Sequence, residues 1–106
     1  RVLKCYLHIS KTEQKERLQA RLDDPAKQWK FAVSDLATRA KWKQYIAAYE
    51  TALAATSTAH APWYVVPADS KTHRNLMIAA LVEQTLKAMK LKAPVPDFDP
   101  AAVKIV

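Results

Sequence analysis

Two short apolar segments, separated by a long stretch of helical pattern, constrain the fold of this chain more than any other feature. Residues 2–9 and 63–66 are rich in β-branched and aromatic side chains, which is typical of strands buried in a parallel sheet. A helical connection between two such strands indicates that they run parallel in one sheet. The sequence therefore predicts an α/β fold in the order strand, helix, helix, strand, helix.

Two parallel strands cannot cover both faces of their own sheet. We therefore expect that further strands, or a covering layer, come from residues outside this chain. Without them, the chain should expose apolar surface.

The helical pattern between the two strands falls into two parts. Ser10 and Glu13 have the spacing of a capping box, which predicts a helix through about residue 22. A second, long helix is predicted over residues 34–56, because four large apolar side chains recur there on one face. This stripe consists of Trp42, Ile46, Tyr49 and Leu53.

A third helix is predicted over residues 71–90, with Asp69 or Ser70 as its N-cap. Its segment 76–82 is apolar almost all round, which indicates a helix buried on most sides. Residues 93–106 contain three prolines and are expected to form an extended tail.

A break between the first two helices stands out at residues 21–31, which read RLDDPAKQWKF. Asp24 can cap a new helical turn, and Pro25 suits the first position of that turn, where no backbone donor is needed. The residues alone support two interpretations. One is a mobile group that closes over phosphate; the other is a surface hairpin whose tryptophan packs on the core.

The composition narrows the class of protein. The 106 residues form one domain at most, and a formal charge of +7 favours an anionic partner such as nucleic acid, an anionic membrane or polyphosphate. No apolar run approaches the length of a membrane span. The single cysteine, Cys5, cannot form an internal disulfide.

The chain contains no glycine, so it cannot hold a glycine-rich phosphate loop of the form G-x-x-x-x-G-K-[ST] or G-x-G-x-x-G. We also find no metal-ligand spacing among His8, His60 and His73, and no catalytic triad. The sequence therefore predicts neither a catalytic residue nor a metal ligand in this chain.

Several segments resemble the C-terminal part of the family 2 polyphosphate kinases, which are P-loop kinases with a thymidylate-kinase-like fold. The resemblance covers about residues 3–90, and its two long motifs are the specific ones. The matching segments are residues 7–11, 13–14, 21–31, 34–35, 39, 42, 45, 48–50 and 56–69.

This resemblance implies a fragment of a phosphotransferase that moves phosphoryl groups between inorganic polyphosphate and AMP, ADP or GDP, with Mg²⁺ bound mainly outside this chain. Residues 1–92 would be the C-terminal part of the P-loop kinase domain, with two strands, a helical lid hairpin at about 11–56 and a C-terminal helix. Residues 93–106 would be the tail. The missing N-terminal part would supply the phosphate loop. The family further implies a cytoplasmic homo-oligomer without a membrane segment.

Within the lid, the resemblance points to Arg21 and Lys30 as phosphate-binding residues, with Lys27 and Arg39 as second choices. Cations suit this role, because phosphoryl transfer depends on holding phosphates in line and neutralising their charge. For Arg17, we favour an ion pair with Glu13 on the helix surface.

Asp69, Lys71 and Arg74 follow the second strand, and the resemblance places them near the nucleotide. For Asp69, we favour an N-cap role over direct contact with a ligand. Thr72 and His73 stand where the family often has an aromatic residue, which weakens any finer inference about the nucleotide.

The remaining elbow residues have simpler interpretations. Trp29 and Phe31 are expected to pack against the core, and Asp35 to cap the second long helix. The alternative function is a small basic helical module that binds nucleic acid, which the net charge would suit. A lone structural or interaction domain is a third interpretation, but it leaves the matching motifs unexplained.

Overall fold

The structure is a computed structural model that describes residues 1–106. It contains two strands and four α-helices in the order β1, α1, α2, α3, β2, α4. Their bounds are β1 Lys4–His8, α1 Lys11–Asp23, α2 Ser34–Ala40, α3 Trp42–Thr56, β2 Trp63–Pro67 and α4 Lys71–Ala88. Short 3-10 turns occupy Gln28–Lys30 and Pro100–Ala102.

The two strands pair in parallel in a two-stranded sheet, which confirms the predicted α/β architecture. Lys4 lies opposite Trp63, and His8 lies opposite Pro67. One further backbone hydrogen bond, from the amide of Ala68 to the carbonyl of His8 at 2.8 Å, extends the ladder past the end of β2. The strands are therefore aligned so that their carboxyl ends meet at one edge.

The predicted apolar stripe of α3 faces β1 in the structure. The ring centroids of Tyr49 on α3 and Tyr6 on β1 lie 4.8 Å apart, and Trp42 and Ile46 line a cleft of about 250 Å³ beside Tyr6. Partial burial, and to a smaller extent the charge of Tyr49, raises the pKa of Tyr6. The open cleft shows that α3 covers β1 only loosely.

The prediction of one continuous helix over residues 34–56 is wrong, because the chain leaves helical geometry at Lys41. Its amide donates to the carbonyl of Thr38, which closes a tight turn. The two halves are held by different partners: α3 lies along β1, whereas Arg39 of α2 donates to the carbonyl of Lys11 at 2.7 Å. No local breaker marks this position, so contacts distant in sequence account for the break.

The third predicted helix ends at Ala88, two residues early. Lys90 has a φ of 48°, in the left-handed region that helix ends usually fill with glycine. A lysine there is strained relative to glycine, and this chain has no glycine to offer.

Very little of the chain is buried, as expected for a sheet without cover. Only Val66 and Ala68 are buried, and the chain exposes 8806 Å² where a compact protein of this mass would expose about 5,900 Å². The radius of gyration is 22.1 Å, against about 13 Å for a compact domain of this length. The prediction that α4 is buried on most sides is wrong for this chain, since Leu76 is 68% exposed.

None of the four α-helices combines the length needed to cross a membrane with sufficient apolar character.

Candidate functional site

The link between α1 and α2, residues 24–33, forms a turned segment that we call the elbow. The carboxylate of Asp24 accepts from the amide of Ala26 at 3.0 Å, and its carbonyl accepts from the amides of Lys27 and Gln28. Asp24 therefore starts a new turn just after α1 ends, as the sequence predicts. The side chain of Gln28 donates to the carbonyl of Leu22 at 2.8 Å and ties the elbow back to α1.

Two of the predicted phosphate-binding cations, Arg21 and Lys30, come together at this elbow. The Arg21 guanidinium reaches the Lys30 carbonyl at 3.5 Å, which is at the limit of a hydrogen bond. Neither side chain forms an ion pair with a carboxylate; the three ion pairs of the chain involve other residues. Neither positive charge is therefore neutralised by a direct ion pair, although Lys30 lies close enough to Asp24 to contribute to its lowered pKa.

The two second choices have partners. The ammonium of Lys27 forms an ion pair with Asp24 at 2.6 Å, and this contact is the main cause that lowers the pKa of Asp24. Arg39 donates to the carbonyl of Lys11 and to the side chain of Gln14 at 3.0 Å. Lys27 and Arg39 thus have close polar partners within the chain, whereas Arg21 makes only the long hydrogen bond of 3.5 Å.

A polar cleft of about 290 Å³ opens between α1 and α2 beside the elbow. Arg17 and Arg21, one helical turn apart on α1, line one side of it, and Asp35 and Thr38 line the other. The prediction that Asp35 caps the helix is wrong, because Val33 is the N-cap of α2 and Asp35 lies in its first turn, where its carboxylate accepts from the amide of Ala32 at 3.2 Å. The cleft is therefore positively charged on its α1 side.

The aromatic side chains of the elbow depart from expectation. Trp29 does not pack on a core, because 79% of it is exposed, whereas Phe31 is half-buried. Trp29 lies in the 3-10 turn at Gln28–Lys30, none of whose residues is buried. The indole nitrogen of Trp29 nevertheless donates to the carbonyl of Ala26 at 3.0 Å, which fixes the orientation of the ring.

A second polar cluster lies at the carboxyl ends of the two strands. Asp69, after β2, accepts from the amide of Ser10, after β1, at 2.7 Å. This hydrogen bond is the main cause that lowers the pKa of Asp69, with smaller contributions from the Ser10 hydroxyl and from Arg17. We call Ser10, Arg17 and Asp69 the strand-end network.

Arg17 is the centre of that network. Its guanidinium pairs with Glu13 at 2.6 Å, as predicted, and also donates to the carbonyls of Ala68 at 2.8 Å and Asp69 at 3.1 Å. The predicted capping box forms only in part: Ser10 Oγ accepts from the amide of Glu13 at 3.0 Å. The reciprocal bond is absent because Asp69 takes the Ser10 amide and Arg17 takes the Glu13 carboxylate.

The structure shows which residue is the N-cap of α4. Ser70, and not Asp69, is the N-cap, since its hydroxyl accepts from the amide of His73. Lys71 is exposed, and Arg74 is half-buried with its guanidinium on Asn75 at 2.9 Å. Asp69 lies at the strand edge where ligands of open α/β sheets bind, and the other two residues follow it on α4.

No group of three or more His, Cys, Asp or Glu side chains in the chain is arranged to hold a metal ion. The residues present therefore do not fit a metal centre.

Sequence reasoning understated one residue, Arg17. Its spacing to Glu13 accounts for the ion pair, but its two carbonyl contacts join residues about fifty positions apart and have no local signature. The signal that was available is its position one helical turn before Arg21 on the same face.

Comparison with known protein families identifies the class to which this fold and these motifs belong. The family model described as polyphosphate kinase 2 matches residues 1–94. The chain therefore belongs to the polyphosphate kinase 2 family.

Individual relatives agree with that assignment. The chain is 47% identical to an AMP/ADP-polyphosphate phosphotransferase of Meiothermus ruber, over 99% of this chain and 39% of that relative. It is 43% identical to an ADP-polyphosphate phosphotransferase of Rhodopseudomonas palustris, over 89% of this chain and 32% of that relative. The chain thus spans about a third of the length of these curated relatives.

Solved structures show the same likeness. The polyphosphate kinase 2 of Arthrobacter aurescens superimposes with a TM-score of 0.91 at 49% identity, over 94% of this chain and 35% of that one. The putative polyphosphate kinase 2 of Pseudomonas aeruginosa gives a TM-score of 0.79 at 32% identity, over 88% of this chain and 20% of that one. The elongated arrangement of helices around two strands is therefore found in experimental structures of the family.

Proposed function

We propose that this chain is the lid and C-terminal core of an enzyme that transfers phosphoryl groups reversibly between inorganic polyphosphate and a nucleoside mono- or diphosphate. The names of its relatives support the substrate classes, since they specify polyphosphate together with AMP/ADP, ADP or GDP. The proposal extends to this class of nucleotides and does not select one of them.

The observation that carries the proposal is the positive charge at the elbow that no direct ion pair neutralises. Arg21 lines a polar cleft and has no carboxylate partner, and the ammonium of Lys30 has none either. Phosphoryl transfer requires such cations, because charge spreads over the phosphate oxygens as the group moves. In this proposal Arg21 binds the polyphosphate through its planar fork, and Lys30 acts as a point charge.

The other site residues have supporting roles. Lys27 and Arg39 are second choices for polyphosphate, because each must first leave a partner within the chain. Asp69, Lys71 and Arg74 are proposed to lie near the nucleotide. The exposure of Lys71 and the position of Asp69 at the strand edge support this placement.

The rest of the machinery is assigned to residues outside this chain. These would supply the P-loop, the catalytic carboxylates and the ligands of Mg²⁺, which neutralises phosphate charge when bound. No cluster in this chain fits the metal, so its ligands are not sought among these residues. The proposal also includes the division into a core at 1–92, with the lid at about 11–56, and a tail at 93–106, a homo-oligomer, and a cytoplasmic location where nucleotides are available.

The test is the substitution Arg21→Ala in the full-length enzyme. A charge-assisted hydrogen bond to phosphate contributes about 1.5–3 kcal/mol, so we expect kcat/KM with polyphosphate to fall about ten- to a hundredfold. The melting temperature should hardly change, because the Arg21 side chain donates only one hydrogen bond within the chain, the long one of 3.5 Å to the Lys30 carbonyl. Arg21→Lys should recover only part of the activity, since the fork geometry is lost.

The matched control is Lys87→Ala on α4. It removes one positive charge and an exposed ion pair with Glu83, of a kind that contributes little to stability. If Arg21→Ala and Lys87→Ala give the same kcat/KM, the elbow does not bind phosphate and the proposed function of this segment is wrong.

A further inference from the structure

One feature of the elbow is not explained by phosphate binding alone, and this is Trp29. A tryptophan that is 79% exposed contributes little by burial, yet this one is held in a single orientation by the hydrogen bond from its indole nitrogen to Ala26. Trp63, in contrast, is half-buried at the start of β2, and its indole donates to Thr56. The fixed orientation of Trp29 therefore indicates a role other than packing.

The ring of Trp29 carries the ammonium of the next residue. Lys30 Nζ lies 5.1 Å from the ring centroid, within the range of a cation–π contact. Lysine has a flexible four-carbon stem, so an exposed ammonium would otherwise sample many positions. The contact with the ring therefore restricts the Lys30 ammonium to the vicinity of Trp29.

The choice of an aromatic partner has a chemical consequence. The neighbouring ammonium of Lys27 is held by the carboxylate of Asp24 at 2.6 Å, and a carboxylate there repels an incoming phosphate. An aromatic face attracts a cation without bearing a net charge. It therefore orients Lys30 without a direct ion pair, and the weaker interaction of Lys30 with Asp24 leaves the ammonium accessible to an anion.

We propose that Trp29 is a positioning residue for polyphosphate binding: its ring holds the Lys30 ammonium in place before the elbow closes over the phosphate chain. This inference rests on the proposed function, because it assumes that Lys30 contacts phosphate. The inference goes beyond the proposed function because it assigns Trp29, the most exposed aromatic side chain of the elbow, a role that acts through Lys30.

The test is a double-mutant cycle between Trp29→Leu and Lys30→Ala in the full-length enzyme. We expect Trp29→Leu to lower kcat/KM with polyphosphate about two- to fivefold, which corresponds to an exposed cation–π contact. The KM for the nucleotide and the melting temperature should stay unchanged. In the Lys30→Ala background, Trp29→Leu should have no further effect.

Trp29→Phe separates the ring face from the hydrogen bond. Phenylalanine keeps an aromatic face for Lys30 but cannot donate to Ala26, so it should retain more activity than the leucine variant. Val33→Ala, a truncation of an equally exposed apolar side chain at the end of the elbow, is the control and should match the wild type.

Three results would overturn the inference while leaving the proposed function intact. The first is an unchanged kcat/KM in Trp29→Leu. The second is an equal loss of kcat/KM from Trp29→Leu in the wild-type and in the Lys30→Ala background. The third is a phenylalanine variant as impaired as the leucine variant. A different result, full activity in Lys30→Ala, would overturn the phosphate role of Lys30 and the positioning role of Trp29 with it.

Discussion

Arginine serves two different purposes in the strand-end network and in the elbow. Arg17 satisfies a carboxylate and two backbone carbonyls, whereas Arg21, one turn further along the same helix, has a single hydrogen bond of 3.5 Å. The helix therefore carries one arginine with three partners in the fold and one whose hydrogen-bonding capacity is mostly unused within the chain. The partners of each side chain, and not its residue type, separate a structural cation from a candidate binding cation.

The most severe test of this comparison removes the rest of the enzyme, so that only the present chain with its elbow and its strand-end network remains. The isolated 106-residue chain should show no measurable phosphoryl transfer with polyphosphate and nucleotide, because it contains no phosphate loop. It should also bind a hydrophobic dye such as ANS strongly, since apolar residues including Leu76 and Val65 are exposed. Robust turnover by the isolated chain would show that the elbow and strand ends suffice for catalysis.

The largest effect of a single substitution on stability is expected at Arg17. Arg17→Ala in the full-length enzyme leaves the carboxylate of Glu13 and the carbonyls of Ala68 and Asp69 without their donor. We expect the free energy of unfolding to fall by about 2–3 kcal/mol, as measured by urea denaturation. Arg21→Ala should change it by less than about 0.5 kcal/mol. Equal losses in the two variants would remove the distinction between the two arginines.

The strand-end network also predicts a pH dependence. The pKa of Asp69 is lowered from its ordinary value of 3.8 by the amide of Ser10, so the ionised carboxylate stabilises the fold. This contribution is fully present above the ordinary value and is lost as the pH falls through the lowered one. Asp69→Asn should therefore flatten the acid limb of the melting temperature against pH. An acid limb identical to that of the wild type would contradict this assignment.

The smallest effect is expected outside both regions, at the end of α4. Lys90 has a positive φ, which costs a residue other than glycine about 1–2 kcal/mol. Glycine avoids this cost, but part of the gain in stability is offset because glycine makes the unfolded chain more flexible. Lys90→Gly should therefore stabilise the enzyme by about 0.5–1 kcal/mol without changing kcat. Lys92→Gly, two residues later, is the control. A destabilised Lys90→Gly variant would show that this backbone conformation is not retained in the enzyme.

The difference between contacts of neighbouring residues and contacts of distant residues explains what the sequence could and could not predict. The two strands, the start of α1 at Ser10 and the turn at Asp24 follow from patterns within a few residues, and the structure confirms them. The break at Lys41 and the contacts of Arg17 with the end of β2 depend on residues distant in the chain, and no local pattern announces them.

Trp29 and Asp69 illustrate a second limit. Tryptophan is usually at least partly buried, so packing was the natural expectation, but none of the residues of its 3-10 turn is buried. Asp69 and Ser70 are both good N-caps by residue type, and only the pairing of Asp69 with Ser10 leaves the cap to its neighbour. In both cases the deciding partner, or its absence, is set by the tertiary fold.

The elongated outline of the chain, 69 Å in its longest dimension, has a mechanical consequence. Helix α3 has 15 residues and is therefore about 22 Å long. A helix of this length would convert a tilt of about 10° about its Thr56 end into a displacement of about 4 Å at its Trp42 end, as follows from the rise per residue. The Thr56 end is attached to the sheet, because its carbonyl accepts a hydrogen bond from the ammonium of Lys4 on β1. A displacement of this size exceeds the length of a hydrogen bond. A slight rotation of α3 at the sheet would therefore be enough to make or break hydrogen bonds at its Trp42 end.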